Sequence, residues 1–144
     1  MTGLSNFDLL RYVQQTNLPH FRGVFMRDTL PKSEPSKKEC GIVNLNTSEE
    51  KGSHWVCYYK DNSTRIYFDS FGQITPIEIQ KYLKSKYEFE NDIPTIARNR
   101  DIVQSVNTDI CGTLCLFVLE SLSQETSFQE VINRLRHGYS QGYC

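Results

Sequence analysis

The sequence predicts an α+β fold in which a small, antiparallel-leaning sheet packs around one buried helix. Three observations predict it. Strand-like runs rich in Val, Ile, Tyr, Phe and Trp follow one another at 40–45, 54–59 and 65–69. Capped helical segments stand before and after them. A nearly unbroken apolar stretch from Asp109 to Leu122 is long enough for a helix and too apolar for a surface one.

From the N-terminus, Ser5-x-x-Asp8 reads as a capping box, with Leu9, Leu10 and Val13 as the apolar face behind it. A helix over about 6–16 follows, ended before Pro19. Gly23 to Met26 reads as a short strand. Residues 29–39, polar and twice interrupted by proline, read as a mobile loop. Lys60-Asp61-Asn62-Ser63 is a hairpin turn between the second and third of the strand-like runs. Thr75 reads as an N-cap with Pro76 at the first helical position and Glu78 as the capping carboxylate, opening a helix to about Tyr87. Pro94 to Ala97 is a further strand. Ser127-x-x-Glu130 caps a last helix that ends at Gly138.

A chain of 144 residues fits one domain, expected to span 1–144, and can bury roughly two thirds of its unfolded surface. With 38% hydrophobic and 12% aromatic residues it is not a disordered chain. Sixteen Lys and Arg against 17 Asp and Glu give a net charge of -1, and no electrostatic reason to expect nucleic acid. Cysteines stand at 40, 57, 111, 115 and 144, an odd number without a CxxC pair. The opening MTGLSNFDLL lacks the basic start and long apolar run of a signal peptide, and no stretch approaches the ~20 apolar residues of a membrane span. Free thiols in a reducing, intracellular compartment are therefore expected, with no membrane partner.

In that setting one special cysteine is more plausible than a disulfide framework. A cysteine nucleophile needs a lowered pKa, a base and donors for an oxyanion. Asn107, Thr108 and Asp109 are all good N-caps, which places Cys111 near the positive end of the buried helix. Gly112 leaves the backbone beside the sulfur open to a substrate. His54 begins a strand and can pair with the thiol, and Asp69 at the end of the next strand can orient it across the hairpin. Gln104 offers a neutral amide donor. Singly, each has an ordinary structural reading; Cys115 reads as a small core residue. The order His, Asp, Gln, Cys with Gly next is the signal.

That order resembles the adenovirus endopeptidase (adenain) family, in a wider group that includes the SUMO-deconjugating proteases. The resemblance rests on His54-Trp55, on Asp69 within Phe68-Asp69-Ser70-Phe71-Gly72, on Gln104 and on Cys111-Gly112. Pro19-His20-Phe21-Arg22-Gly23-Val24-Phe25, Cys40-Gly41-Ile42-Val43-Asn44 and Asn107 extend it. It implies an adenain-like fold and a cysteine endopeptidase that matures viral or mobile-element precursors, cutting next to glycine, in the host nucleus and the virion. His54 would be the base, Cys111 the nucleophile, Asp69 the orienter and Gln104 an oxyanion donor, with Trp55 and Gly112 lining the substrate site. The alternatives are a protease that removes a ubiquitin-like modifier and an inactive binding module of the same fold. No metal or organic cofactor is expected. The resemblance also implies activation by a peptide and DNA, but the near-zero charge argues against DNA, and no residue matches the peptide's partner. Asp69 departs from the glutamate of adenain and agrees with the deconjugating group.

Overall fold

Residues 4–46, 54–84, 95–103 and 110–139 are described by the structure, a computed structural model. Ser5 starts the first helix as its sequence demands. Its Oγ accepts the Asp8 N–H at 3.2 Å, and the Asp8 carboxylate accepts the Ser5 N–H at 2.9 Å. Helix α1 spans Asn6–Thr16, buries Leu9 and Val13, and ends on Asn17 at φ 52. Asparagine tolerates that left-handed position well.

Five strands form one sheet in the order β1-β2-β3-β4-β5: Phe21–Met26, Glu39–Asn44, Trp55–Lys60, Arg65–Phe68 and Ile96–Arg98. β2, β3 and β4 are antiparallel, whereas both edge strands pair parallel, so the sheet is mixed. Period and composition cannot show this, because strand direction depends on the connections. Asp61 makes the β3–β4 turn, its Oδ1 accepting the N–H groups of Ser63 (2.9 Å) and Thr64 (2.8 Å).

Side chains of β3 alternate between two apolar layers. Trp55 and Cys57 join Ile42, Ile66 and Phe68 against Leu114, Val118 and Leu119. Val56 and Tyr58 join Val43 and Tyr67 against Ile79, Tyr82 and Leu83. Burial on both faces explains why β3 is apolar nearly throughout. The second layer is closed by α2 (Ile77–Lys84). That helix starts one residue later than Pro76 at its first position would require: the Pro76 carbonyl accepts the Gln80 N–H at 3.0 Å. Its expected end at Tyr87, like Pro94 before β5, lies outside the described residues.

Helix α3, Cys111–Ser123, runs beneath β3 with most of its residues buried. Ile110 occupies its N-cap position at φ -97, ψ 6, without a side-chain cap. The expected caps Asn107, Thr108 and Asp109 lie outside the described residues, and the helix opens on Cys111 itself. Helix α4, Phe128–Arg134, is capped by Ser127 as expected. It then widens into a π-helical turn, Leu135–Tyr139, so Gly138 falls within helical backbone and does not end it. Among the described residues no helix is long and apolar enough to cross a membrane.

The connection from β1 to β2, read as mobile from its prolines, is pinned by a buried carboxylate. Glu39 is 1% exposed. It accepts from Tyr58 Oη (2.6 Å), Tyr82 Oη (2.5 Å), Arg22 Nη1 (3.0 Å) and the Ser36 N–H (2.9 Å). Lys60 Nζ, also buried, donates to the carbonyls of Ser36 and Lys37. Glu39→Ala would remove the buried acceptor that the Tyr58 and Tyr82 hydroxyls and the Arg22 guanidinium share. It is expected to lower stability by about 3–5 kcal/mol in urea unfolding.

Candidate active site

The site lies where β3 begins, β4 ends and α3 opens. Cys57 pairs with Phe68 in the β3–β4 ladder, so the residues before β3 run beside those after β4. His54 thereby meets both Asp69 and Phe71. Its Nε2–H donates to Asp69 Oδ1 at 2.7 Å, and its ring stacks on Phe71 at 4.8 Å and 27°. The carboxylate is 1% exposed and the imidazole side chain 15%, so the pair is shielded while the ring keeps an open edge.

The turn after β4 holds the carboxylate in place. Asp69 Oδ1 also accepts the Phe71 N–H at 2.9 Å, and the Asp69 carbonyl accepts the Gly72 N–H at 2.8 Å. Gly72 sits at φ 68, and a Cβ there would come within 2.5 Å of the Arg100 carbonyl oxygen. Both the backbone angle and the space require glycine.

Cys111 is the first residue of α3, where unpaired helix N–H groups favour a negative charge. Its Sγ accepts the Trp55 N–H at 3.4 Å and interacts electrostatically with His54. Burial pushes this thiol up. The interaction with His54, the Trp55 N–H and the Gly112 N–H outweigh that and hold it below the usual thiol range. Burial likewise opposes the His54 cation, but the hydrogen bonds and charges of Asp69 and Cys111 prevail and raise it to about 9. The two shifts have one physical origin: a thiolate and an imidazolium stabilise each other away from water.

The other thiols move the opposite way. Burial, with Cys57 and Glu39 nearby, pushes Cys40 up to about 12. Cys115, fully enclosed one turn below Cys111, is also raised by burial and by Cys57. Cys40, Cys57, Cys111 and Cys115 are all free thiols; Cys144 lies outside the described residues. Among the described residues no group of three or more His, Cys, Asp or Glu could hold a metal ion.

Of the residues singled out in the sequence, His54, Asp69, Trp55, Cys111 and Gly112 come together, and Gln104 lies outside the described residues. Trp55 is buried, with its indole Nε1–H donating to the Leu4 carbonyl at 2.9 Å. A Cβ on Gly112 would meet Trp55 Cδ1 at 3.3 Å, Leu9 Cδ2 at 3.4 Å and Leu4 Cβ at 3.5 Å. The missing side chain thus lets α3 approach β3 and α1 closely. Phe71 entered the sequence reading only as part of the motif around Asp69, and Asn99, which also touches this assembly, went unnoticed. An aromatic in a turn and an isolated asparagine carry no spacing signal.

Residues 21–135 match the family described as adenovirus endoprotease. The chain belongs to the adenovirus endoprotease family. It is 27% identical over 133 residues to the protease of Porcine adenovirus A serotype 3, covering 85% of this chain and 65% of that relative's length. The crystal structure of ASFV pS273R protease superposes with a TM-score of 0.63 at 15% identity, covering 96% of this chain and 66% of that one. That likeness, at so low an identity, shows a shared fold. Membership of the adenovirus endoprotease family agrees with the resemblance read from the His, Asp, Gln, Cys order.

Proposed function

We propose that the chain is a cysteine endopeptidase that works through Cys111, His54 and Asp69. The observation that carries this reading is the meeting of three groups at the start of α3: Asp69 Oδ1 holds His54 Nε2 at 2.7 Å, and His54 in turn favours the thiolate of Cys111. The Cys111 thiolate attacks the scissile carbonyl carbon, and the C–O π pair moves onto oxygen. The oxyanion takes the Cys111 N–H and the Gln104 side-chain amide as donors. As the tetrahedral adduct collapses, His54 gives its proton to the departing amine and a thioester remains. Neutral His54 then takes a proton from water, whose oxygen attacks the thioester and releases the acid and the thiolate. Asp69 keeps the ring oriented and its cation stable throughout.

Protein substrates follow from family membership. Precursors of a virion or mobile element, cut next to glycine in the host nucleus and the virion, are the finer reading, carried over from the resemblance. Activation by peptide or DNA is carried over from the resemblance alone; the near-neutral charge argues against DNA, and no residue matches the peptide's partner. The test is cleavage of fluorogenic peptides bearing glycine at the cut site, run beside a fusion to a ubiquitin-like modifier. Hydrolysis of the fusion alone would replace the endopeptidase with a deconjugase, and hydrolysis of neither, with or without peptide, would refute the reading. Gln104→Ala is expected to lower kcat on the order of 10²-fold with little change in KM, as for one oxyanion donor. A change in KM alone would remove Gln104 from that role.

A further inference from the structure

Asp69 lies one residue beyond β4, where the ladder to β5 has already ended at the pair Tyr67 and Arg98. Its peptide groups are buried there, with no strand pairing left on the β5 side. The side chain of Asn99, itself 5% exposed, takes that place. Asn99 Oδ1 accepts the Asp69 N–H at 3.1 Å, and Asn99 Nδ2 donates to the Asp69 carbonyl at 2.6 Å. Its Nδ2 also donates to the Asp101 carbonyl at 3.1 Å, which ties the clamp to the loop after β5. One amide thus acts as an extra peptide group and extends the β4–β5 pairing by side-chain rungs.

The consequence is felt at His54. The carboxylate carbon is two bonds from the Cα that Asn99 holds, so a shift of this backbone is passed directly to the 2.7 Å bond with Nε2. We propose that Asn99 is a positioning residue for the site, its amide clamping the main chain of Asp69 so that the carboxylate stays on His54. The inference rests on the reading of Cys111, His54 and Asp69 as the catalytic set. A hydrophobic residue of the same size could fill the space, yet it could satisfy neither Asp69 peptide group.

The test is a pH titration of the His54 ring by nitrogen NMR, in wild type and in Asn99→Leu, which keeps the branched shape and loses all three bonds. The charged and titratable groups around this pair are Cys111 from α3, Asp69 itself, and Tyr67 and Cys115 within its electrostatic reach. Wild-type His54 should titrate near 9. In Asn99→Leu its midpoint should drop by about one unit or more toward the ordinary histidine value. The high-pH limb of kcat/KM should move down with it, and kcat should fall on the order of 10²-fold at near-constant KM. Asn99→Gln, with donor and acceptor retained, should recover part of the shift. A folded Asn99→Leu whose His54 titrates as in wild type overturns the proposal, as does a lower rate with an unmoved high-pH limb. If Asn99→Leu does not fold, Asn99→Ser is read by the same two criteria. The titration needs no substrate, so failure of the clamp is distinguished from failure of the protease reading.

Discussion

Cys111→Ala and His54→Ala should each abolish peptide cleavage, with losses of roughly 10⁴-fold or more in kcat. The first removes the sulfur that the proposed mechanism makes into a thioester. The second removes the donor that holds Sγ as thiolate, the acid for the leaving amine and the base for the attacking water. Because the two residues act as one unit, the double variant should be little worse than either single one. Cys111→Ala should retain the fold, since alanine leaves the helix start and its apolar neighbours in place; circular dichroism and urea unfolding check this. Cleavage by purified Cys111→Ala at the wild-type rate would sink the mechanism.

A larger contrast is expected in thiol chemistry. Iodoacetamide reacts with thiolate, so at pH 7 the labelling rate follows how far each cysteine is ionised. Cys111 lies below the ordinary thiol range because His54⁺, the Trp55 N–H and the helix start favour its anion. Cys40, pushed to about 12, is ionised to only about one part in 10⁵ at that pH. Cys115 is raised as well and closed off from reagent. Mass-spectrometric mapping across a pH series should find Cys111 alkylated first, with its rate falling as acid protonates the sulfur.

Peptide hydrolysis has an upper limit that alkylation lacks. The His54 midpoint is raised to about 9, so the imidazolium that must protonate the leaving amine is present below that pH and lost above it. The catalytic profile should therefore be a bell, open between the lowered Cys111 midpoint and about 9, while alkylation of Cys111 continues to higher pH. Labelling of Cys144 before Cys111 at pH 6 would contradict the thiolate assignment.

Local signals in the sequence determined much of this protein by themselves. The Ser5–Asp8 reciprocal cap, the Asp61 turn and the Ser127 cap are interactions between residues two or three apart, so the chain's own order carries them. The apolar run into α3 required burial, and of the ordered His, Asp, Gln and Cys, the three described ones come together at one place. Tertiary structure alone decided the rest. Parallel pairing at both sheet edges depends on how the connections cross. Glu39 meets Tyr82 from 43 residues away, and Asn99 meets Asp69 from 30 residues away. The expected opening of α3 at Asn107 to Asp109 gave way to Ile110, a residue with no side-chain oxygen to cap a helix. Such contacts leave no periodicity, because a partner brought close by folding imposes no spacing on the chain. Only the packed sheet shows why an isolated asparagine stands behind the carboxylate, and why the residue after Cys111 lies so close to Trp55, Leu9 and Leu4.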